Sequence, residues 1–257
     1  MKEQFKPQNN NKHKTKKERL CLFGYNTVYE GLKNDLKINK IFLHKEDPII
    51  LKLIKQKNIE YQLHSLKWFD NQYRDQLNHQ GFVAELDNNS LTISFNELCH
   101  KLKDKQQSII VVLDQIQDPG NFGGILRTCL AANVDGVIFK KDNQARINNT
   151  VIKTSLGACF YLNLVEVANL SYAIKDLQDK YGYWSYVSNL SDQAEDYNQE
   201  YANKAILVIG NEQKGVSAQL IKNADYQVKI PMYTDKIQSL NVSVATGILL
   251  FNMKNKQ

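Results

Sequence analysis

The chain has 257 residues, of which 42% are hydrophobic and 23% charged, ordinary values for a soluble globular protein with room for one large domain or two small ones. No apolar run approaches the roughly 20 residues of a membrane span, and the lysine-rich start lacks the apolar segment of a secretory signal, so a cytoplasmic protein is expected. The net charge of +6 is concentrated at the start, where seven Lys/Arg against Glu3 and Glu18 give residues 1–19 a charge of +5.

Those first 19 residues have almost no apolar content and are predicted to form a disordered basic arm. The arm can bind nucleic-acid phosphates through counterion release, or it can be a solvated tail in a Lys/Asn-rich chain. From residue 20 to 87 the pattern predicts a small α/β unit. Its elements are a helix over 25–35, a strand over 40–43, a helix over 48–57 with Pro48 at N1, a strand over 60–63, a helix over 65–73 and a strand over 81–86. Residues 88–107 are polar and turn-prone around a short amphipathic stretch, 91–102, and are expected to be a linker.

From residue 108 onward strands and helices alternate. The run 109–113 (Ile-Ile-Val-Val-Leu) is continuously apolar, the pattern of a strand buried on both faces. Helices are predicted over 122–133, 147–156, 171–181 and 218–223, and strands over 136–139, 162–167, 183–187, 205–209 and 226–230. A largely apolar helix, 242–253, closes the chain. Such alternation predicts an α/β fold with a mostly parallel sheet covered on both faces. Cys21, Cys99, Cys129 and Cys159 form no C-x-x-C pair, and the five histidines show no ligand spacing, so reduced structural thiols and no metal are expected.

The stretch D-Q-I-Q-D-P-G-N-F-G-G-I-L-R-T, residues 114–128, crowds three glycines into a strand-to-helix turn. Gly120, Gly123 and Gly124 are spaced three and one apart, which does not fit G-x-G-x-x-G, and the lysine and hydroxyl of a P-loop are missing. On a helix, Gly123, Arg127 and Ala131 fall in one row beside Gly124, so Arg127 projects from a stripe of minimal side chains. Taken alone, Arg127 reads as a surface arginine. Two later strand ends change that reading: I-L-V-I-G-N-E-Q-K-G-V-S (206–217) and the segment 230–251, which enters its helix through Ser239–Leu240–Asn241. In doubly wound sheets ligands lie outside the carboxyl ends of the strands, where Asn121, Arg127, Glu212, Ser239 and Asn241 can converge. Taken singly, Glu212 fits a solvated turn and Ser239 or Asn241 an N-cap.

Together the three stretches resemble the three motifs of the SPOUT class of RNA methyltransferases, specifically the TrmH family of ribose 2′-O-methyltransferases. The likeness lies in Asn121, Gly124, Arg127 and Thr128; in Gly210, Glu212 and Gly215; and in Ile230, Pro231, Met232, Ser239, Leu240, Asn241, Ser243, Ala245 and Gly247. The helix at Tyr25–Leu32, the strand near Ile41–Leu43 and His79–Gln80–Gly81 are similar to the RNA-binding N-terminal domain of the RlmB subgroup, whose members methylate a guanosine ribose in large-subunit (23S) ribosomal RNA. One departure is Gln213, where glycine is common in the family.

The resemblance implies a C-terminal trefoil knot and a homodimer packed through the knotted domains, with ribosomal RNA as substrate. It also implies S-adenosylmethionine (SAM) as cofactor, held at Gly210, Ile230, Met232, Ser239 and Leu240. It casts Arg127 as the group acting on the 2′-hydroxyl. A guanidinium keeps its proton at neutral pH, so orientation of the ribose and stabilisation of a developing oxyanion suit it better than proton abstraction. Glu212 is then a proton acceptor or a bidentate partner of Arg127, with Asn121, Ser239 and Asn241 positioning the ribose. Two other readings stand: methylation of transfer RNA, and a noncatalytic RNA-binding assembly factor, which would not need the Asn121/Arg127/Glu212/Asn241 set.

Overall fold

A computed structural model of the protein describes residues 19–73, 78–87 and 91–257, and in them the chain forms two sheets. The basic arm expected over 1–19 lies, apart from Arg19, outside the described residues; Arg19 pairs with Glu85 at 2.8 Å.

The first sheet holds β1 (Cys21–Phe23), β2 (Ile38–Leu43), β3 (Glu60–Leu63) and β4 (Phe82–Leu86) in the order β1-β4-β2-β3. β4 runs antiparallel to β1 and β2, whereas β2 and β3 are parallel. Helices α1 (Tyr25–Lys33), α2 (Pro48–Lys57) and α3 (Leu66–Gln72) connect them. α2 starts where Pro48 is preformed for N1 and the Asp47 carboxylate accepts from the Ile49 and Ile50 amides, both at 3.0 Å. The His79–Gln80–Gly81 turn has a structural role. Gln80, at φ 51°, accepts from the Tyr25 amide at 3.2 Å and so serves the start of α1, whose own N-cap, Gly24, has no side chain to offer.

The second sheet has seven strands in the order β7-β6-β5-β10-β8-β11-β9, and every neighbouring pair is parallel. They are β5 (Ser108–Asp114), β6 (Gly136–Lys140), β7 (Leu164–Val167), β8 (Trp184–Ser188), β9 (Glu195–Asp196), β10 (Lys204–Gly210) and β11 (Tyr226–Lys229). From β5 the chain moves outward through β6 and β7, then restarts on the far side with β8; β10 fills the gap. The β5/β10 boundary is therefore the switch point of the sheet.

Alternation along the two central strands assigns their faces. Ile109, Val111 and Leu113, with Ala205, Leu207 and Ile209, join one buried cluster with Phe122 of α5 (Pro119–Ala131) and Leu249, Leu250 and Met253 of α9 (Val242–Lys256). Ile110, Val112, Ile206 and Val208 face the opposite cluster with Leu98 and Leu102 of α4 (Phe95–Leu102), Ile174 and Leu177 of α7 (Leu170–Tyr181) and Leu220 of α8 (Ala218–Lys222). The first cluster continues without a break into Leu22, Val28, Leu32 and Ile41 of the smaller sheet.

Three expectations change. α4 falls inside the stretch read as a linker, but Leu98, Cys99 and Leu102 are buried against the large sheet, so residues 95–102 belong to the second layer. The helix expected from residue 122 begins at Pro119, because Asp118 caps it, its carboxylate accepting from the Asn121 amide at 2.6 Å. Asn121 is therefore a helix residue and two of the glycines lie deeper in that helix. The short strands β1 and β9 are additions to the expected elements; each is defined by its neighbour rather than by its own pattern.

All four cysteines are buried and free. Burial pushes the Cys21 thiol up to about 12 and the Cys159 thiol up to about 11, and raises Cys99 and Cys129 as well. No helix among the described residues is long and apolar enough to cross a membrane.

Candidate active site

Three loops leave the carboxyl ends of β8, β10 and β11 and enclose a cleft of about 350 Å³. Gly210, Glu212, Ile230, Met232, Ser239 and Leu240 all line it. Sequence reading missed the residues that follow β8, Ser188 to Leu190, and also Gln238. No local signal marks the β8 loop, because its place beside the cleft comes from β8 lying between β10 and β11.

The loop after β10 is a tight turn closed on itself. Asn211 and Gly215 exchange backbone hydrogen bonds of 3.0 and 2.9 Å, and a Cβ on Gly210 would lie 2.2 Å from the carbonyl carbon of Gly215 and the amide of Val216. Asn211 ties the turn down. Its Oδ1 accepts from the Gln213 and Lys214 amides, and its Nδ2 donates to the Gln115 carbonyl at 2.8 Å. Only Gly215 in the turn has positive φ, 68°, so Gln213 occupies its glycine-like position without strain.

Three of the five expected catalytic residues, Asn121, Glu212 and Asn241, meet in one chain of hydrogen bonds. Asn121 Nδ2 donates to Glu212 Oε1 at 3.1 Å, Asn241 Nδ2 donates to Asn121 Oδ1 at 2.9 Å, and Asn241 Oδ1 accepts from the Ser243 amide at 2.9 Å. A carboxylate only accepts, so it fixes the flip of Asn121, which fixes that of Asn241, which then caps α9. The N-cap reading of Asn241 and its place in the site are one geometry. Ser239 is exposed and makes no hydrogen bond among the described residues.

Glu212 is joined to Asn121 and not to Arg127; the bidentate Glu212–Arg127 pair that was one of the two readings does not form within the chain. Arg127 is exposed and without a hydrogen bond or ion pair among the described residues. It stands one turn beyond Gly124, whose missing Cβ leaves 3.2 Å to Ser243 Cβ in the first turn of α9. The stripe of small residues thus admits backbones: Gly124 admits α9, and Gly123 admits α6 (Asn149–Thr154), where a Cβ would lie 1.9 Å from Thr154 Oγ1.

A roomier recess of about 560 Å³ lies under α7 and α8, away from these residues. Of its two carboxylates, Asp179 and Asp225, the latter is already engaged, since Asp225 Oδ2 accepts from the Ser185 amide, Ser185 Oγ and Gln178 Nε2 at 2.7–2.8 Å. The cleft at the strand ends is the better site. Its size falls in the usual range of about 300–1,000 Å³ for an organic ligand. Apolar Ile230, Met232 and Leu240 face polar Glu212, Gln238 and Ser239, a lining suited to a ligand with an apolar ring system and a charged end.

A parallel sheet with a loop-walled cleft at the carboxyl ends of β8, β10 and β11 defines a ligand-binding α/β domain. The sequence model of the SpoU rRNA Methylase family matches residues 108–251, and that for RNA 2′-O ribose methyltransferase substrate binding matches residues 21–91. A Mycoplasma genitalium protein, described as an uncharacterised tRNA/rRNA methyltransferase, is 50% identical over 244 residues, 94% of this chain and 100% of the relative. The 23S rRNA (guanosine-2′-O-)-methyltransferase RlmB of Xanthomonas campestris is 34% identical over 242 residues, 91% of this chain and 96% of that one. In fold the chain is similar to an AdoMet-bound rRNA methyltransferase from Sinorhizobium meliloti, with a TM-score of 0.79 at 22% identity over 91% of this chain and 86% of that one. The chain belongs to the SpoU rRNA methylase family and is an RNA methyltransferase.

Proposed function

We propose that the protein is a SAM-dependent methyltransferase of ribose 2′-hydroxyls that acts on a guanosine of large-subunit ribosomal RNA as a knotted homodimer. The observation that carries this reading is the Glu212–Asn121–Asn241 chain, which ties α5 and α9 to the cleft through Glu212, with Arg127 unengaged further along α5. The relatives that share most of the chain's length support the RNA substrate, and the RlmB enzyme supports guanosine and the 2′-position. The dimer is supported by apolar side chains that α5 and α9 leave in solvent, Leu130, Val244 and Phe251.

Gly210, Ile230, Met232, Ser239 and Leu240 would hold SAM in the cleft, largely through loop backbone, which explains why no nucleotide motif stands in the sequence. When bound, SAM supplies an electrophilic methyl group for in-line transfer to the hydroxyl oxygen. Arg127 orients the ribose or its phosphate and stabilises the charge that develops on that oxygen. Glu212 acts as the anchor that sets Asn121, and Asn121 and Asn241 together fix the entry of α9 and the Ser239–Leu240 loop. The hydroxyl proton leaves to solvent, which reaches exposed Arg127, Glu212 and Ser239.

Incubation with labelled SAM and unmodified large-subunit ribosomal RNA, followed by mapping of ribose methylation, tests the reading. Label on a guanosine 2′-oxygen is expected. Label in transfer RNA alone would replace the substrate, and none in either RNA would leave a binding protein.

A further inference from the structure

A recess of about 390 Å³ opens where β1 of the small sheet meets α6 of the large one. The seam is held by the Cys21 amide donating to Asn149 Oδ1 at 2.9 Å and by the Tyr161 hydroxyl donating to the Glu30 carboxylate. The lining is unlike a packing defect. Asn26, Asn78 and Lys153 are exposed and make no side-chain hydrogen bond or ion pair among the described residues. Asn149 keeps its Nδ2 free, and no carboxylate of the described residues lines the recess. Phe23 and Leu156 complete it with apolar surface, beside buried Ile152.

Leu156 is the more telling of the two. It is 70% exposed and sits at φ 51°, a left-handed conformation that costs a leucine both strain and apolar hydration. The left-handed turn closes α6, with the Gly157 amide donating to the Ile152 carbonyl at 3.1 Å. A large apolar side chain left in solvent at the rim of a recess points to an external partner.

We propose that this recess takes one unstacked nucleotide of the RNA substrate, away from the nucleotide that is methylated. The proposal rests on RNA being the substrate. Neutral amides carry both donors and acceptors and suit the edges of a base; Phe23 and Leu156 offer apolar surface to its faces; Lys153 meets a phosphate. A lining of amides and one lysine, with no carboxylate among the described residues, favours a polyanion.

The test measures affinity of the full chain for unmodified large-subunit ribosomal RNA transcript, with transfer RNA transcript in parallel, for wild type, Leu156→Gly and Lys153→Ala. Glycine relieves the left-handed strain, so Leu156→Gly keeps or raises the melting temperature while RNA binding weakens roughly tenfold. Lys153→Ala lowers the slope of log affinity against log salt by about one. SAM affinity, read by calorimetry, stays at the wild-type value in both. Wild-type RNA affinity in both variants would overturn the nucleotide pocket and leave the activity standing. A wild-type protein that methylates neither RNA would overturn the activity, and the pocket with it.

Discussion

Replacing Asn121 by Asp asks whether the Glu212–Asn121–Asn241 chain assembles the site. The variant sets a second carboxylate about where Asn121 Nδ2 now donates to Glu212 Oε1 at 3.1 Å. Like charges about 4 Å apart repel by about 1 kcal/mol in water and about 4 kcal/mol at an effective dielectric of 20. Glu212 is exposed, so the low end applies, about 1–2 kcal/mol. The lost charge-assisted hydrogen bond adds about 1.5–3 kcal/mol. Together about 2.5–5 kcal/mol opposes docking of the β10 loop on α5, or about a 10²- to 10⁴-fold loss of assembled site. SAM affinity by calorimetry and RNA methylation at pH 7.5 are expected to fall by that order. The double variant Asn121→Asp/Glu212→Gln swaps the charge. The new amide at position 212 can donate to the new carboxylate at position 121, which still accepts from Asn241. Both readouts should return to within about tenfold of wild type. Full activity in the single variant would refute the network. A double variant that recovers SAM binding but not turnover would refute Glu212 as a mere anchor and make it the proton acceptor.

Three further outcomes follow from the same geometry. Arg127→Ala should abolish RNA methylation while SAM affinity is kept, and Arg127→Lys should fail as well, because an ammonium does not reproduce the planar fork; a fully active lysine variant would sink that role. In urea denaturation, Gly123→Ala should lose about 1–2 kcal/mol, because its Cβ would fall 1.9 Å from Thr154 Oγ1 and 2.9 Å from the Ser155 amide, outweighing about 1 kcal/mol gained in helix propensity. Gly124→Ala, with 3.2 Å to Ser243 Cβ, should stay within about 0.5 kcal/mol of wild type, and the reverse order would refute the packing assignment. Stability should be full below pH 9 and fall between pH 9 and 12, because Cys21 ionises near 9 when unfolded but at about 12 when folded. That gap is worth at most about 4 kcal/mol, and Cys21→Ala should flatten the decline in denaturation midpoints; an unchanged slope would show that Cys21 is not the cause.

Much of the fold was legible because its signals are local. The unbroken apolar runs of β5 and β10 can only be central strands of a parallel sheet, and Asp47–Pro48 writes out the start of α2. What was not legible depends on distant partners. Three residues, Cys-Leu-Phe, carry no period, and β1 exists because β4 lies antiparallel to it. α4 shows its apolar face in sequence, but the choice between a linker and a sheet layer depended on where that face could be buried. The start of α5 is different: Asp118–Pro119 is a local cap signal of the same kind as Asp47–Pro48, standing directly before Gly120.

The site divides along the same line. Which loops form it could be read from glycines and amides at three strand ends, but the partner of Glu212 could not, since a carboxylate accepts from an amide as well as from a guanidinium. The fold decides between them. Asp118 starts α5 early enough to place Asn121 in its first turn, and Gly124 lets α9 approach until Asn241 reaches Asn121. Once Asn121 occupies Glu212 Oε1, the guanidinium of Arg127 keeps all its donors for an incoming ligand. An internal Glu212–Arg127 ion pair would have to be broken each time a phosphate or a developing oxyanion arrived. An amide on Glu212 in place of the guanidinium removes that competition.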